Sequence, residues 1–328
     1  MGHPIEMPER DRVGARDSSG PGARRLDDLF AHALLVVAGK GGVGKSTVAA
    51  ALGLAAARRG LRTIVVEVAA REDVSRVLGT VDTVNHGERA ISERLHHISI
   101  DPQRAMEEYL RQRLPVGALG TLLARSRIFA SLSAATPGLR ELLTVGKVWE
   151  LAQPHRRAHG TQPYDLVVLD APATGHALAT LRAPATFASV ARVGPVATQG
   201  RAVAGFLGDA GRTAVVAVCT AEEMAVTEAL ELQPQLREQV GLGLSLVVVN
   251  AVVSQRFTRA DELTLRAAPP SPAQHAALFV ASWARRQRAH IAQLRRGVGG
   301  VPVLTLPLVI ESALDAAAID GLSRELER

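Results

Sequence analysis

The nine residues Gly39-Lys-Gly-Gly-Val-Gly-Lys-Ser-Thr47 constrain this 328-residue chain more than any other stretch. An apolar run, Ala33 to Ala38, leads into them and an Ala-rich segment from Ser46 to Arg59 follows, so the expected order is strand, glycine loop, helix. The spacing of Gly39, four residues, then Gly44-Lys45-Ser46 is that of a Walker A phosphate loop. Gly39, Gly41, Gly42 and Gly44 let the backbone curl, so that the N–H groups of the loop, Val43 included, and the helix N-terminus behind it face phosphate oxygens. In such a loop Lys45 reaches the β- and γ-phosphates and Ser46 places its hydroxyl on Mg²⁺. Thr47 is positioned for the α-phosphate. The expected ligand is a nucleotide.

Composition supports that reading. Of 38 Lys and Arg residues only Lys40, Lys45 and Lys147 are lysines, and two of these lie inside the loop. Where arginine is so favoured, a compact ammonium persists where a forked guanidinium cannot serve. The single cysteine, Cys219, excludes a disulfide framework and any Cys-pair metal site within one chain. No apolar leader opens the sequence, and no uncharged apolar run reaches the ~18 residues of a membrane span, so the expectation is a soluble, cytoplasmic protein without a transmembrane segment. The net charge of +6 is local: six arginines and no acid lie between Glu262 and Glu311.

Strand-like runs recur at 62–68, 95–100, 164–170, 214–219, 244–250 and 303–306, separated by helical stretches. The alternation predicts an α/β fold, a doubly wound, mostly parallel sheet. Residues 1–27 read as a flexible tail and 28–328 as one domain, with helical insertions at about 103–158 and 183–210. His96 and His97 are strand neighbours that point to opposite faces and suit ordinary sheet packing better than a shared metal. Tyr164 to Asp170 ends in a carboxylate, where Walker B chemistry places its Mg²⁺ partner.

The form Lys40-Gly-Gly-Val-Gly-Lys45-Ser46 resembles the deviant Walker A of the ArsA and guided-entry ATPases, and Asp170-Ala-Pro-Ala-Thr-Gly-His176 resembles their second switch with the small residues in a different order. The resemblance covers nearly all of 33–328. It implies ATP and Mg²⁺ as ligands, Ser46 and Asp170 at the metal, and catalysis through Lys45, Lys40 and Asp170. It also implies an ATP-dependent dimer in which Lys40 reaches the partner's nucleotide. Asn250, closing its strand, resembles the family residue that reads the adenine edge, and Pro307 opens a loop on the nucleotide side.

The chain departs from that family at switch I. Where members carry Asp-Pro-Ala, this sequence has Ala69-Ala70-Arg71. Glu67, two residues earlier on the same side of an extended strand, ranks first as the substitute acid, with Glu72 and Asp73 following. A plain strand-closing charge is an equal alternative for Glu67. The loss predicts slow hydrolysis or a heterodimer with a related ATPase that keeps the aspartate. The function expected is ATP hydrolysis in a homodimer or heterodimer that handles a hydrophobic or membrane-protein client. A weakly hydrolysing regulatory subunit is the rival reading; a MinD/ParA-type positioning ATPase and an arsenite-pump subunit rank lower. In residues 273–296 the pattern predicts a helix with Phe279, Trp283, Ile291 and Leu294 on its core arc and arginines on the other. With its aromatics facing the core, nucleic acid is a poor partner for that basic helix. Lys147, the lysine outside the loop, reads as a plain surface lysine or as a contact to a partner or the nucleotide.

Overall fold

A computed structural model describes residues 21–68, 72–79, 82–83, 87–102, 105, 138–155, 162–191, 195–311 and 314–328. The first described element is α1 (Pro21–Phe30), which buries Leu26, Leu29 and Phe30 against the core. Strand β1 (Leu34–Ala38) is buried at every position, and α2 (Lys45–Arg58) follows the glycine loop. Then come β2 (Thr63–Val68), α3 (Asp73–Leu78), the short β3 (Asp82–Thr83) and β4 (Arg89–Ala90), β5 (Leu95–Ile100) and α4 (Leu139–Leu151). The second half runs through β6 (Leu166–Asp170), α5 (Thr174–Ala191), α6 (Pro195–Leu207), β7 (Thr213–Thr220), α7 (Glu223–Val240) and β8 (Leu244–Val252). It closes with α8 (Arg259–Ala267), α9 (Pro272–Gly297), β9 (Val303–Pro307) and α10 (Ala316–Leu326).

Among the described residues these strands form one sheet in the order β3-β4-β5-β2-β6-β1-β7-β8-β9, parallel from β5 to β9 and antiparallel only where β4 meets β3 and β5. The chain leaves β1 toward β2 on one side and later leaves β7 toward β8 and β9 on the other. Right-handed crossovers in opposite directions put α2 and α7 on opposite faces, which makes the sheet doubly wound. The central strands read as unbroken Leu, Val and Ile because both faces are covered. Each fully buried Val or Leu there is worth about 1.5–3 kcal/mol relative to exposure.

Helix α2 must pass close to the sheet, and its sequence is correspondingly small. Val48, Ala49, Ala51, Leu52, Ala55 and Ala56 are buried, and a Cβ on Gly53 would stand 2.5 Å from Val65 Cγ2. Its far side is covered by α10, locked by Arg58 to Asp320 and Glu327 and by Arg59 to Glu327.

Most of the expected insertion at 103–158 lies outside the described residues. Its end is α4, which buries Val145, Val148 and Leu151 in the main core. The stretch 183–210 is helical in α5 and α6, and Val203, Phe206 and Leu207 join that same core. Helix α9 corrects one expectation. Ile291 and Leu294 are buried, but Phe279 is 59% exposed, with the Trp283 ring 6.0 Å away. The side chain of Gln287 holds Val253 N and Ala251 O at the carboxyl end of β8. In the first half of α9 the covered positions are the small Ala281 and Ala284, 5% and 3% exposed, and the helix packs against both α7 and α8. Among the described residues, no helix is long and apolar enough to cross a membrane.

Candidate active site

Because β1 is flanked by β6 and β7, the loop that leaves its carboxyl end sits where strand order reverses, the position at which open α/β sheets bind ligands. The loop needs its glycines for two separate reasons. Gly39, Gly42 and Gly44 have φ of 154°, 83° and 90°, a region that residues with a Cβ avoid. In addition, a Cβ on Gly39 would lie 2.1 Å from Val218 O, and one on Gly44 would lie 2.1 Å from Asn250 Nδ2. The loop is thus pressed onto the ends of β7 and β8.

Three side chains converge beneath it. Lys45, 7% exposed, donates to the carbonyl of Lys40 at 2.9 Å, which folds its ammonium back over the loop. Ser46 Oγ donates to Asp170 Oδ2 at 2.6 Å, joining the start of α2 to the tip of β6. Asp170 is 5% exposed and registers beside Val37 of β1 and Glu67 of β2. A hydroxyl and a carboxylate at this separation are hard oxygen donors of the kind Mg²⁺ takes alongside phosphate, so the residues fit that ion. A cavity of about 520 Å³ opens beside Lys45 and Ser46, lined also by Gly42, Asp73, Arg76 and Leu314 among others. That is the size of a small-molecule site.

The remaining sequence candidates fall in distinct places. Asn250 Nδ2 donates to Val43 O at 3.0 Å, so this amide braces the loop. Pro307 ends β9 opposite Val252, on the same edge of the sheet. Lys40 reaches α7, with Nζ 3.0 Å from Glu228 Oε1. Lys147 is outside the site, in an ion pair with Glu150 at 3.2 Å where both side chains are largely buried. Ala69, Ala70 and Arg71 lie outside the described residues.

Glu67 is wholly buried. Its Oε1 accepts the Asp73 N–H and its Oε2 the Val74 N–H, both at 3.1 Å, and His97 Nε2 stands 2.6 Å from Oε2. A carboxylate at the first turn of a helix suits the unpaired N–H groups there. Glu67 therefore anchors the start of α3. Glu72, just before that helix, meets Arg89 of β4 at 2.7 Å, and this hydrogen bond and charge hold its carboxyl below the usual range. Neither His97 nor Arg89 was legible in the sequence as a partner of these acids, because each is brought up by a different strand. His96 instead sets its ring edge-on to Tyr164, 5.4 Å between centroids.

A mostly parallel sheet whose first strand feeds a glycine loop over a Lys, Ser and Asp cluster defines the P-loop class of nucleotide-binding α/β proteins. The sequence profile of the anion-transporting ATPase family, ArsA, matches residues 32–193. ATPase BagA of Mycobacterium tuberculosis is 33% identical over 244 residues, 73% of this chain and 70% of that one. The chain belongs to the anion-transporting ATPase family. Arsenical pump-driving ATPases of Acidiphilium multivorum and Escherichia coli are each 26% identical, over 306 and 308 residues. This chain spans about half the length of those two, 48% and 49%.

Proposed function

We propose that this chain is a Mg²⁺-dependent ATPase that splits ATP to ADP and phosphate and works as a nucleotide-gated dimer of the guided-entry type. The observation that carries the reading is the Ser46 Oγ to Asp170 Oδ2 contact at 2.6 Å beneath the loop that holds Lys45. Lys45 and the loop N–H groups bind the β- and γ-phosphates, Asn250 and Pro307 bound the adenine side, and Ser46 with Asp170 hold the cation. Mg²⁺ would neutralise charge on the transferring phosphoryl group. Lys40, on leaving Glu228, adds a further positive charge at a partner's nucleotide. The acid facing the attacking water comes from the end of β2 or the start of α3, where Glu67, Glu72 and Asp73 stand. A hydrophobic or membrane-protein client, in the cytoplasm, is the output that fits the family resemblance.

A second reading is favoured by Ala69 in the place of the family's aspartate: a subunit that binds ATP, hydrolyses it weakly and completes the site of a related chain. Steady-state ATPase assays of the purified chain, Lys45→Ala and Ala69→Asp, each weighed by light scattering with and without ATP, separate the two. Turnover and an ATP-dependent homodimer in the wild type support the first. Binding without turnover until Ala69→Asp is introduced supports the second. Absence of ATP binding in the wild type removes both.

A further inference from the structure

We infer that Asp73 is the carboxylate that orients and deprotonates the attacking water, and that Arg76 holds it in the resting chain. The inference rests on the reading of the cavity over Lys45 as an ATP site. Three acids lie close enough to the end of β2 to serve, and the structure separates them. Glu67 is 0% exposed and both of its oxygens are engaged, by two backbone N–H groups and by His97. Glu72 turns to Arg89 of β4. Asp73 lines the cavity together with Lys45 and Ser46, and its side chain is 38% exposed.

The geometry explains why the acid sits there. Glu67 takes the N–H groups of Asp73 and Val74, which fixes the first turn of α3 against the end of β2. That turn faces the glycine loop, and one turn later Arg76 lines the same cavity and pairs with Asp73. Arg76 is 74% exposed, so its hold on Asp73 is weak and readily exchanged. A triphosphate carries more charge than a carboxylate and accepts the guanidinium fork in two-pronged fashion, so ATP draws Arg76 onto its phosphate oxygens. Asp73 is then free to accept a hydrogen bond from water. In the step itself the water oxygen bonds to the γ-phosphorus while the bond to the β,γ-bridging oxygen breaks. Asp73 takes the water proton, ADP leaves with the bridging oxygen, and the proton passes on to the released phosphate. Glu67 acts as a positioning residue for the helix that carries Asp73.

The test compares Asp73→Asn, Arg76→Ala, Glu67→Gln and the double variant Asp73→Asn/Arg76→Ala with wild type. It measures binding of a fluorescent ATP analogue and single-turnover ATP hydrolysis, after circular dichroism confirms folding. Asp73→Asn is expected to keep analogue affinity within about threefold and to lower the hydrolysis rate at least thirtyfold, with partial recovery in Asp73→Glu. Arg76→Ala weakens binding several-fold with a smaller loss of rate, and Glu67→Gln lowers the rate three- to tenfold at unchanged affinity. Hydrolysis by Asp73→Asn within threefold of wild type overturns the assignment. Equal losses in Asp73→Asn, Arg76→Ala and the double variant also overturn it, since the pair would then only brace α3. So does a loss in Glu67→Gln larger than that in Asp73→Asn, or a wild type that binds ATP without a single turnover. Failure of the wild type to bind the analogue at all instead removes the ATP reading on which the inference stands.

Discussion

Lys40 Nζ stands 3.0 Å from Glu228 Oε1, so within one chain the loop lysine is tied to α7. Both side chains are about one-third exposed, at 34% and 35%. Such a pair is worth at most about 1 kcal/mol and weakens with salt. Glu228→Gln is therefore expected to leave the melting temperature nearly unchanged while lowering the ATP concentration needed for association. Light scattering across an ATP titration reads the shift, and an unchanged midpoint argues that the pair restrains nothing.

The contact between Ser46 and Asp170 gives a second prediction. Ser46→Ala and Asp170→Asn are each expected to lower kcat about a hundredfold, equivalent to roughly 2.7 kcal/mol of barrier. Both also raise the Mg²⁺ concentration for half-maximal rate. ATPase rates over a Mg²⁺ titration check this, and a variant with the wild-type Mg²⁺ dependence removes that residue from the metal site.

Loop glycines tolerate substitution unequally. Gly44→Ala places a methyl against Asn250 Nδ2 at a φ of 90°, and Gly39→Ala meets the backbone oxygen of Val218. Gly41 has nothing within 4 Å of its added Cβ. Gly39→Ala and Gly44→Ala are expected to cost about 1–3 kcal/mol each through strain, and to abolish tight nucleotide binding. Gly41→Ala keeps stability within about 0.5 kcal/mol. Chemical denaturation with and without ATP distinguishes the two groups.

Cys219 lies near the end of β7, and burial pushes its thiol from an ordinary 9.0 up to about 12. In the folded chain it stays protonated after the unfolded chain has begun to ionise. The unfolded state then binds fewer protons, so stability falls as pH rises from about 9 toward 12. Cys219→Ala is expected to flatten that decline relative to its own value at pH 8. Urea melts across pH 8–10 measure it, and equal slopes with and without the thiol count against the effect. At pH 8 the native thiol resists alkylation until the chain unfolds.

Sequence pattern reached the parts of this protein that depend on neighbours in the chain. The strands of the parallel sheet follow from short runs rich in Leu, Val and Ile, and the phosphate loop from the spacing of Gly39, Gly44, Lys45 and Ser46. Those features are set by backbone conformation and burial over a few residues, which amino-acid type constrains directly. The Walker motifs and the family resemblance put Ser46 and Asp170 at one expected metal site, and the fold brings the two side chains within hydrogen-bond distance.

Tertiary structure decided what pattern could not. Alternation along β2 put Glu67 on the right side of the strand, but only the arrival of α3 and His97 shows its oxygens taken and Asp73 left facing the cavity. Helical periodicity placed Phe279 with Ile291 and Leu294, yet only the packing of α7 and α8 against α9 determines that Ala281 and Ala284 are the covered positions and that Phe279 emerges at 59% exposure. The partner of Lys40 is likewise set by the approach of α7, 188 residues further along the chain. A local pattern fixes which way a side chain points, and the elements packed around it fix what it meets there.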